Sequence, residues 1–423
     1  MKTKRDMLLK NVLFVANQKA TRCDVLVGEK GYSFVTASDE IPADVQTVQA
    51  DNYLLCPSLA DMHVHFRQPG LEYKETIASG NAAAARSGYG LVATMPNLNP
   101  VPDTLETIAV QEDCIAKDAT ITVLPYASIT LGRHGETVVD MAALKSHCVG
   151  FSDDGSGVQS EAIMEQAMQL AARYDCVIAA HCEDNTLLRG GYIHDGEYAK
   201  AHGHKGICSE SEWGQIARDL VLAEKTGCRY HVCHISTKES VEVIRQAKKR
   251  GVKVSCETAP HYLVLSDKDL QEEGRFKMNP PLRAEQDRLA LIEGLKDGTI
   301  DMISTDHAPH SAEEKSRGLA KSAMGIVGLE TAFSIVYTEL VEKGIISLEK
   351  LVDVMAEAPR RVFGLPSALE EGSVALFELN TPYRIDSANF LSMGKATPFE
   401  GWTVKGNCVL NIHKNEKVYE QIG

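Results

Sequence analysis

The stretch YLLCPSLADMHVHFRQPG, residues 53–70, runs from a short and almost wholly apolar segment into two histidines, His63 and His65, spaced two apart. A run of that length without polar alternation is how a strand buried on both faces reads. The strand it predicts is Tyr53–Asp61. Segments of the same kind recur at Leu91–Met95, Thr122–Ser128, Cys148–Ser152, Cys176–Ala180, Tyr230–Cys233, Lys253–Glu257 and Ile300–Thr305. Between most of them lie amphipathic stretches of helical length, among them Thr76–Ser87, Ser160–Tyr174, Ser240–Arg250 and Arg283–Leu295. Apolar strands alternating with helices build a parallel sheet, and eight such units match a (β/α)8 barrel. A doubly wound open sheet is the competing architecture, which strand counting does not exclude.

The flanking regions are patterned differently. Met7–Val15, Asp24–Val27 and Tyr32–Val35 precede the alternating part; Ser373–Leu379, Thr403–Ile412 and Lys417–Tyr419 follow it. All are short and β-rich. The expected architecture is therefore α/β: a TIM-type (β/α)8 barrel over 56–365, with a small discontinuous β-sandwich domain formed by both termini, 1–55 and 366–423. Two unrelated terminal extensions are the plainer alternative.

The chain has 423 residues, of which 44% are hydrophobic and 24% charged, a balance that excludes disordered, collagen-like and coiled-coil classes. Asp and Glu outnumber Lys and Arg 58 to 44, for a net charge of −14. So negative a surface repels phosphate backbones and anionic lipid, which argues against nucleic-acid and membrane partners. An anionic substrate must then be captured by a local cation. The 11 cysteines are odd in number, scattered and without a C-x-x-C pair, which fits reduced thiols. The basic N-terminus is followed by an apolar stretch broken at Lys10 and Asn11, and no apolar run approaches the ~20 residues of a membrane span. The expected location is the cytoplasm.

The polar residues at the strand ends carry the chemistry. His63 and His65 follow the first strand, Asp153 and Asp154 the fourth, His181 ends the fifth, His234 the sixth and Asp306 the eighth. In a barrel the C-terminal strand ends converge on one mouth. A lone buried histidine is ordinarily a hydrogen-bonded core residue; metal-competent side chains at five such ends are a ligand set. Imidazoles with carboxylates suit Zn2+, with Mn2+ or Co2+ as variants. Six ligands exceed what one zinc takes, and a carboxylate bridging two ions ~3.5–4 Å apart uses them all. Spacing alone leaves the choice between Asp153 and Asp154 open. The implied chemistry is metal-assisted hydrolysis or its reverse.

Longer motifs surround these residues: Asp61-Met-His63-Val-His65-Phe-Arg67-Gln-Pro69-Gly70 with Tyr73-Lys74-Glu75-Thr76, Met95-Pro-Asn97, Phe151-Ser-Asp-Asp154-Gly155 and His181-Cys-Glu-Asp184. They continue with His231-Val-Cys-His234-Ile-Ser-Thr237-Lys, Lys277-Met-Asn279-Pro-Pro-Leu, Thr305-Asp306-His-Ala-Pro-His310 and Gly325-Ile-Val-Gly-Leu-Glu330-Thr. Together they resemble the dihydroorotases of the amidohydrolase superfamily, most closely the bacterial class I type. The resemblance implies that His63, His65 and Asp306 hold one zinc and His181 and His234 a second, with Asp154 and a hydroxide or water bridging. It gives Asp306 the role of general acid/base. Arg67 and Asn97 are implied anchors of the dihydroorotate carboxylate, with His65, Asn279, His310 and the Met324-Gly325 segment as further substrate contacts. A planar guanidinium at Arg67 fits a carboxylate bidentately.

The implied activity is zinc-dependent, reversible hydrolysis of (S)-dihydroorotate to N-carbamoyl-L-aspartate in pyrimidine (UMP) biosynthesis. A homodimer and association with an aspartate transcarbamoylase are the implied partners. Ser58, Gln68 and Met324 depart from the family pattern. No lysine ends strand four, Lys145 lying too far upstream, so no carboxylated lysine is expected; this disfavours a hydantoinase or allantoinase reading. Inactive family members that only support a transcarbamoylase typically lack metal ligands, and all six are present here. Lys74 and Glu75 read as a solvated first helical turn, and Ser311–Ser322 as an ordinary surface connection, with a mobile loop near the mouth as its alternative.

Overall fold

A computed structural model describes residues 6–422 apart from 29, 30, 37, 40 and 42–44. Strands Leu59–Val64, Tyr89–Thr94 and Thr122–Pro125 pair in parallel, as do Val177–Ala180, Arg229–Val232, Val254–Thr258 and Met302–Ile303 in that order. Phe151 joins the two groups through parallel bridges to Ala127 and Ile178. The ring closes where Val64 pairs with His307, beside an His65 N–H that donates to the His307 carbonyl at 2.8 Å. The open-sheet alternative is gone: this is an eight-staved parallel barrel.

Four expected strands are drawn differently. Tyr53–Asp61 is two strands, because the chain changes partner after Ser58: the Ser58 N–H donates to the Ser373 carbonyl at 3.2 Å and the Leu59 N–H to the Gly88 carbonyl at 2.9 Å; Tyr53–Pro57 belongs to the terminal sheet and Leu59–Val64 opens the barrel. The fourth stave, expected as Cys148–Ser152, is reduced to the bridges at Phe151. Ile300–Thr305 is a ladder only at Met302–Ile303, since the Thr305 N–H is taken by the Asp61 carboxylate at 3.1 Å. Likewise Thr403–Ile412 breaks around Gly406, which has φ +86°, into Thr403–Val404 and Asn407–His413.

Both termini build one curled sheet. Its order is Glu416–Glu420, Asn407–His413, Val374–Glu378, Tyr53–Pro57, Met7–Ala16, Lys19–Gly28 and Gly31–Val35, with Gln46–Gln49 also pairing with Met7–Ala16. One apolar cluster, including Leu9, Val25, Leu55, Leu376 and Leu410, belongs to this sheet alone. Elsewhere the sheet is fastened to the barrel: Phe377 stacks on Phe333 with centroids 3.8 Å apart, and Asn411 Nδ2 donates to the Ala85 and Tyr89 carbonyls at 2.9 Å.

The helices start where side-chain acceptors cap them. Thr76 and Ser79 form a capping box for Ile77–Arg86, Ser160 caps Glu161–Tyr174 and Thr237 caps Lys238–Lys249. The barrel floor is apolar, with Ala60, Met62, Leu91, Met95, Tyr126 and Phe363 in one cluster. Among the described residues no helix is long and apolar enough to cross a membrane.

Two surface readings are corrected. Glu75 is fully buried, accepting from Ser79 and Ser392 hydroxyls and from the Met393 N–H at 3.2 Å. Burial pushes its pKa up, but these bonds and His307 hold it below the ordinary value. Lys74 is mostly buried too, with Nζ 3.0 Å from Glu314. The 311–322 segment folds as two short helices, Ala312–Lys315 and Gly318–Lys321, around a buried Lys315.

Phe377 is 1% exposed in the seam between sheet and barrel. Phe377→Ala is expected to cost about 3–5 kcal/mol in chemical denaturation, whereas Val221→Ala, at an exposed helix position, stays within about 0.5 kcal/mol.

Candidate metal centre and substrate cavity

Five of the staves end by delivering a metal-competent side chain into the mouth. His63 lies within Leu59–Val64 and His65 just past it, pointing the same way by strand alternation. His181 and His234 follow Val177–Ala180 and Arg229–Val232; Asp306 follows Met302–Ile303. His234 and Asp306 have left-handed φ of +33° and +49°, as does Arg67 at +59°. Such backbone is disfavoured for non-glycine residues and sits where side chains are re-aimed at functional sites.

Asp154 is the hub. Its Oδ1 lies 3.3 Å from His63 Nε2, 3.5 Å from His234 Nε2 and 3.8 Å from His181 Nδ1, and its Oδ2 is 3.5 Å from His65 Nε2. Asp306 Oδ1 is 3.1 Å from His65 Nε2 and 3.5 Å from His63 Nε2. Asp153 faces elsewhere, accepting from the Ile129 and Thr130 N–H groups at 2.8 and 3.1 Å. Geometry thus separates the two aspartates that spacing could not.

The outer partners set the tautomers. Glu257 Oε1 is 2.8 Å from His63 Nδ1, and Asn97 Oδ1 is 2.8 Å from His65 Nδ1. With those nitrogens donating, both Nε2 lone pairs are left for the centre. Burial opposes the charge on Asp154, yet His63, His234 and His65 hold its pKa well below the carboxylate range. Asp306 is lowered too, against burial, by His65, His63 and His234. Glu257 is lowered by His231 and His63, again against burial.

A cation fits this arrangement. His63 Nε2 and Asp154 Oδ1 are buried and have no hydrogen-bond partner, a state that costs free energy unless something satisfies it. The groups His63–His65–Asp154 and Asp154–His181–His234 each bring ligand atoms within 4.8 Å of one another, with Asp154 common to both. A third group, His63–Cys233–Glu257, meets the same distance criterion. It is a poorer holder, because burial pushes the Cys233 thiol up to about 12 and His63 Nδ1 is engaged by Glu257.

A cavity of 220 Å³ opens on the cluster. His65, Asp154, His181, His234 and Asp306 line it together with Arg67, Asn97, Asn279, His310, Met324 and Gly325; His63 lies fully buried behind. Arg67 is 6% exposed, with Nε donating to the Pro309 carbonyl at 3.3 Å. Burial lowers its pKa to about 10, against the pull of Asp306 and Asp154, so it stays cationic at neutral pH. Because Asn97 accepts through Oδ1, its Nδ2 remains available as a donor. Burial, Arg67 and Lys74 push His310 down to about 3, so its ring is neutral, with Nε2 bonded to the Met324 carbonyl at 2.8 Å.

Sequence reasoning missed Glu257, Glu183, Gly155 and Ala308. Glu257 carried a usable signal, an acidic residue ending the seventh apolar run. Glu183 bonds Asn279 Nδ2 at 2.9 Å and stands 3.7 Å from His181 Nε2; it sits inside the quoted His181–Asp184 motif without having been given a role. Gly155 and Ala308 line the cavity and had no chemical signal to give.

Comparison with known proteins places this geometry in a family. A family model described as "Dihydro-orotase-like" matches residues 52–240. The chain is 46% identical over 418 residues to a dihydroorotase of Fusobacterium nucleatum, covering 98% of each. It is 50% identical over 385 residues to one of Anoxybacillus flavithermus, covering 90% of each. Among solved structures, an L-hydantoinase (dihydropyrimidinase) from Arthrobacter aurescens superposes with a TM-score of 0.85 at 26% identity, over 99% of this chain and 97% of that one. A dihydropyrimidinase from Brevibacillus agri, at 20% identity and a TM-score of 0.82, shares the fold. With nearly half its residues identical to those of curated relatives along almost its whole length, this chain belongs to the dihydroorotase family.

Proposed function

We propose that the protein catalyses the reversible hydrolysis of (S)-dihydroorotate to N-carbamoyl-L-aspartate, the ring-forming step of pyrimidine biosynthesis read in reverse, with two zinc ions in the mouth of the barrel. The observation that carries the reading is that a buried guanidinium and an imidazole–carboxylate cluster share one 220 Å³ cavity. His63, His65 and Asp306 would hold one ion and His181 and His234 the other, with Asp154 standing between the two sets. When bound, such ions polarise a carbonyl and lower the pKa of water from 15.7 toward ~7.

The protein's own groups do the rest. Arg67 and the free Nδ2 of Asn97 take the substrate carboxylate, which orients the ring amide toward the cluster. Asn279, held by Glu183, and the Met324-Gly325 backbone with His310 bound the other wall. During hydrolysis an oxygen from water bonds to the amide carbon and the carbon–nitrogen bond breaks. Asp306, beside His65 in the cavity, takes the proton from the attacking water and gives it to the departing nitrogen. In ring closure the same carboxylate removes a proton from the carbamoyl nitrogen. Arg67 favours this substrate over the uncharged rings of hydantoinases, as it gains its full interaction only with an anion. Family membership further supports a cytoplasmic homodimer open to an aspartate transcarbamoylase partner.

Chelation is expected to abolish dihydroorotate hydrolysis, and two equivalents of zinc per chain to restore it; one equivalent sufficing for full activity excludes the paired arrangement. Asp306→Asn is expected to keep the fold and lose about 10²–10⁴-fold in kcat. Wild-type turnover in that variant, with metal content measured, would remove Asp306 from its role. Arg67→Met is expected to raise KM for dihydroorotate about 10- to 100-fold, the worth of a charge-assisted hydrogen bond. Faster turnover of hydantoin than of dihydroorotate by the unmodified protein points instead to a cyclic amidase for neutral rings.

A further inference from the structure

Lys315 is a lysine with its ammonium inside the protein. The residue is 9% exposed, and Nζ donates to three backbone carbonyls: Gly325 at 2.6 Å, Ala323 at 2.7 Å and Lys277 at 3.0 Å. Three donors meet three acceptors, which exhausts the hydrogen-bonding capacity of an ammonium. The acceptors come from two separate segments, and each segment carries a wall of the substrate cavity. Gly325 and its neighbour Met324 line the cavity on one side. Lys277 lies two residues before Asn279, which lines it on another.

Further bonds knot the same two segments together. The Gly325 N–H donates to the Lys277 carbonyl at 3.1 Å, and Lys277 Nζ reaches the Ala320 carbonyl at 2.8 Å. Gly325 has φ +133°, and a Cβ there would meet the Ala308 carbonyl at 2.8 Å, so the close approach of these two segments admits only glycine. Burial and the nearby Lys277 push the Lys315 pKa down to about 7, with Glu314 pulling it back up. A neutral amine has only two donors, so all three carbonyls are satisfied only by the protonated form.

We propose that Lys315 is a positioning residue for the substrate site: one ammonium fixes the Met324-Gly325 and Lys277–Asn279 backbones at the spacing that the ring of the substrate requires. The proposal rests on the dihydroorotate reading given above. Lys315 touches neither the metal-competent cluster nor the cavity, so its loss acts on substrate binding and not on the chemical step. A second cavity, of 410 Å³, is lined by Lys315 together with His310, Ala312, Ser316 and Gly318.

The test is Lys315→Met, which keeps the stem and deletes the three donors, in the zinc-loaded enzyme. The expected result is a KM for dihydroorotate raised about tenfold or more with kcat changed less than about threefold, the signature of lost ground-state positioning. Amide hydrogen exchange at Ala323 and Gly325 is expected to accelerate at the same time. Unchanged KM and unchanged exchange overturn the proposal; a fall in kcat at constant KM overturns it equally. Should Lys315→Met not fold, Lys315→Ala with added n-butylammonium decides, since the 410 Å³ cavity gives the amine a route to the vacated site. Recovery of KM with butylammonium but not with 1-butanol is expected, and no recovery overturns the proposal. If the unmodified protein fails to turn over dihydroorotate, the functional reading falls by itself, and the exchange comparison still decides whether Lys315 holds the two segments.

Discussion

A single buried carboxylate, Asp154, stands within 3.8 Å of four imidazoles that arrive from three different strand ends. An ionised group withdrawn from water is tolerable only where polar partners, opposite charge or a bound cation satisfy it. That requirement reaches far into the fold. Staves one, four, five and six must converge, and His234 must accept left-handed backbone to turn its ring inward. Asp61 locks the remaining edge of the ring. It accepts from the His63 N–H at 3.0 Å and from the Thr305 hydroxyl at 2.6 Å, tying the first stave to the eighth immediately beside His63 and Asp306. Barrel closure and the placing of two prospective ligands are one set of hydrogen bonds.

The barrel was legible because its signal is local: a buried parallel strand needs an apolar run, and the run is visible without neighbours. Strand ends were less legible. Where the chain passes from the terminal sheet to the barrel after Ser58, the apolar pattern continues straight through, so composition joined what hydrogen bonding divides. At the fourth and eighth staves the backbone gives up ladder pairing to serve side chains, as with the Thr305 N–H on Asp61, and an apolar run carries no trace of that. The terminal sheet was visible as β-rich ends, whereas the pairing of Tyr53–Pro57 with Val374–Glu378 is a contact across some 320 residues, which no local pattern encodes.

At the site the same division holds. The metal-competent residues could be read because their chemistry is written in their identity and they all end strands. The residues that orient them could not, since a glutamate in a first helical turn looks solvated whether or not Ser392 and His307 later cover it, as they do at Glu75. Lys315 is the sharper case. In sequence it sits among Glu313, Glu314 and Arg317 and reads as part of a charged surface stretch. In the fold its neighbours stay outward while its own ammonium is drawn in by three carbonyls that only tertiary structure assembles. Charge predicts exposure well on average and fails where backbone acceptors converge.

The likeness to hydantoinases shows how little of the specificity resides in the barrel. A TM-score of 0.85 at 26% identity means the staves superpose while most side chains differ, and function follows the site more than the scaffold. Among the residues lining the cavity, Arg67 is the only arginine or lysine. Nearby cations are neutralised or turned away: Lys74 pairs with Glu314, Lys315 is saturated by carbonyls, and Arg133 donates to the Asp154 carbonyl at 2.5 Å. His310 is kept uncharged by the very burial that isolates it. A protein of net charge −14 therefore has a single guanidinium in its cavity lining, opposite an imidazole–carboxylate cluster. On the proposed reading that arrangement suits a ring bearing both a carboxylate and a hydrolysable amide.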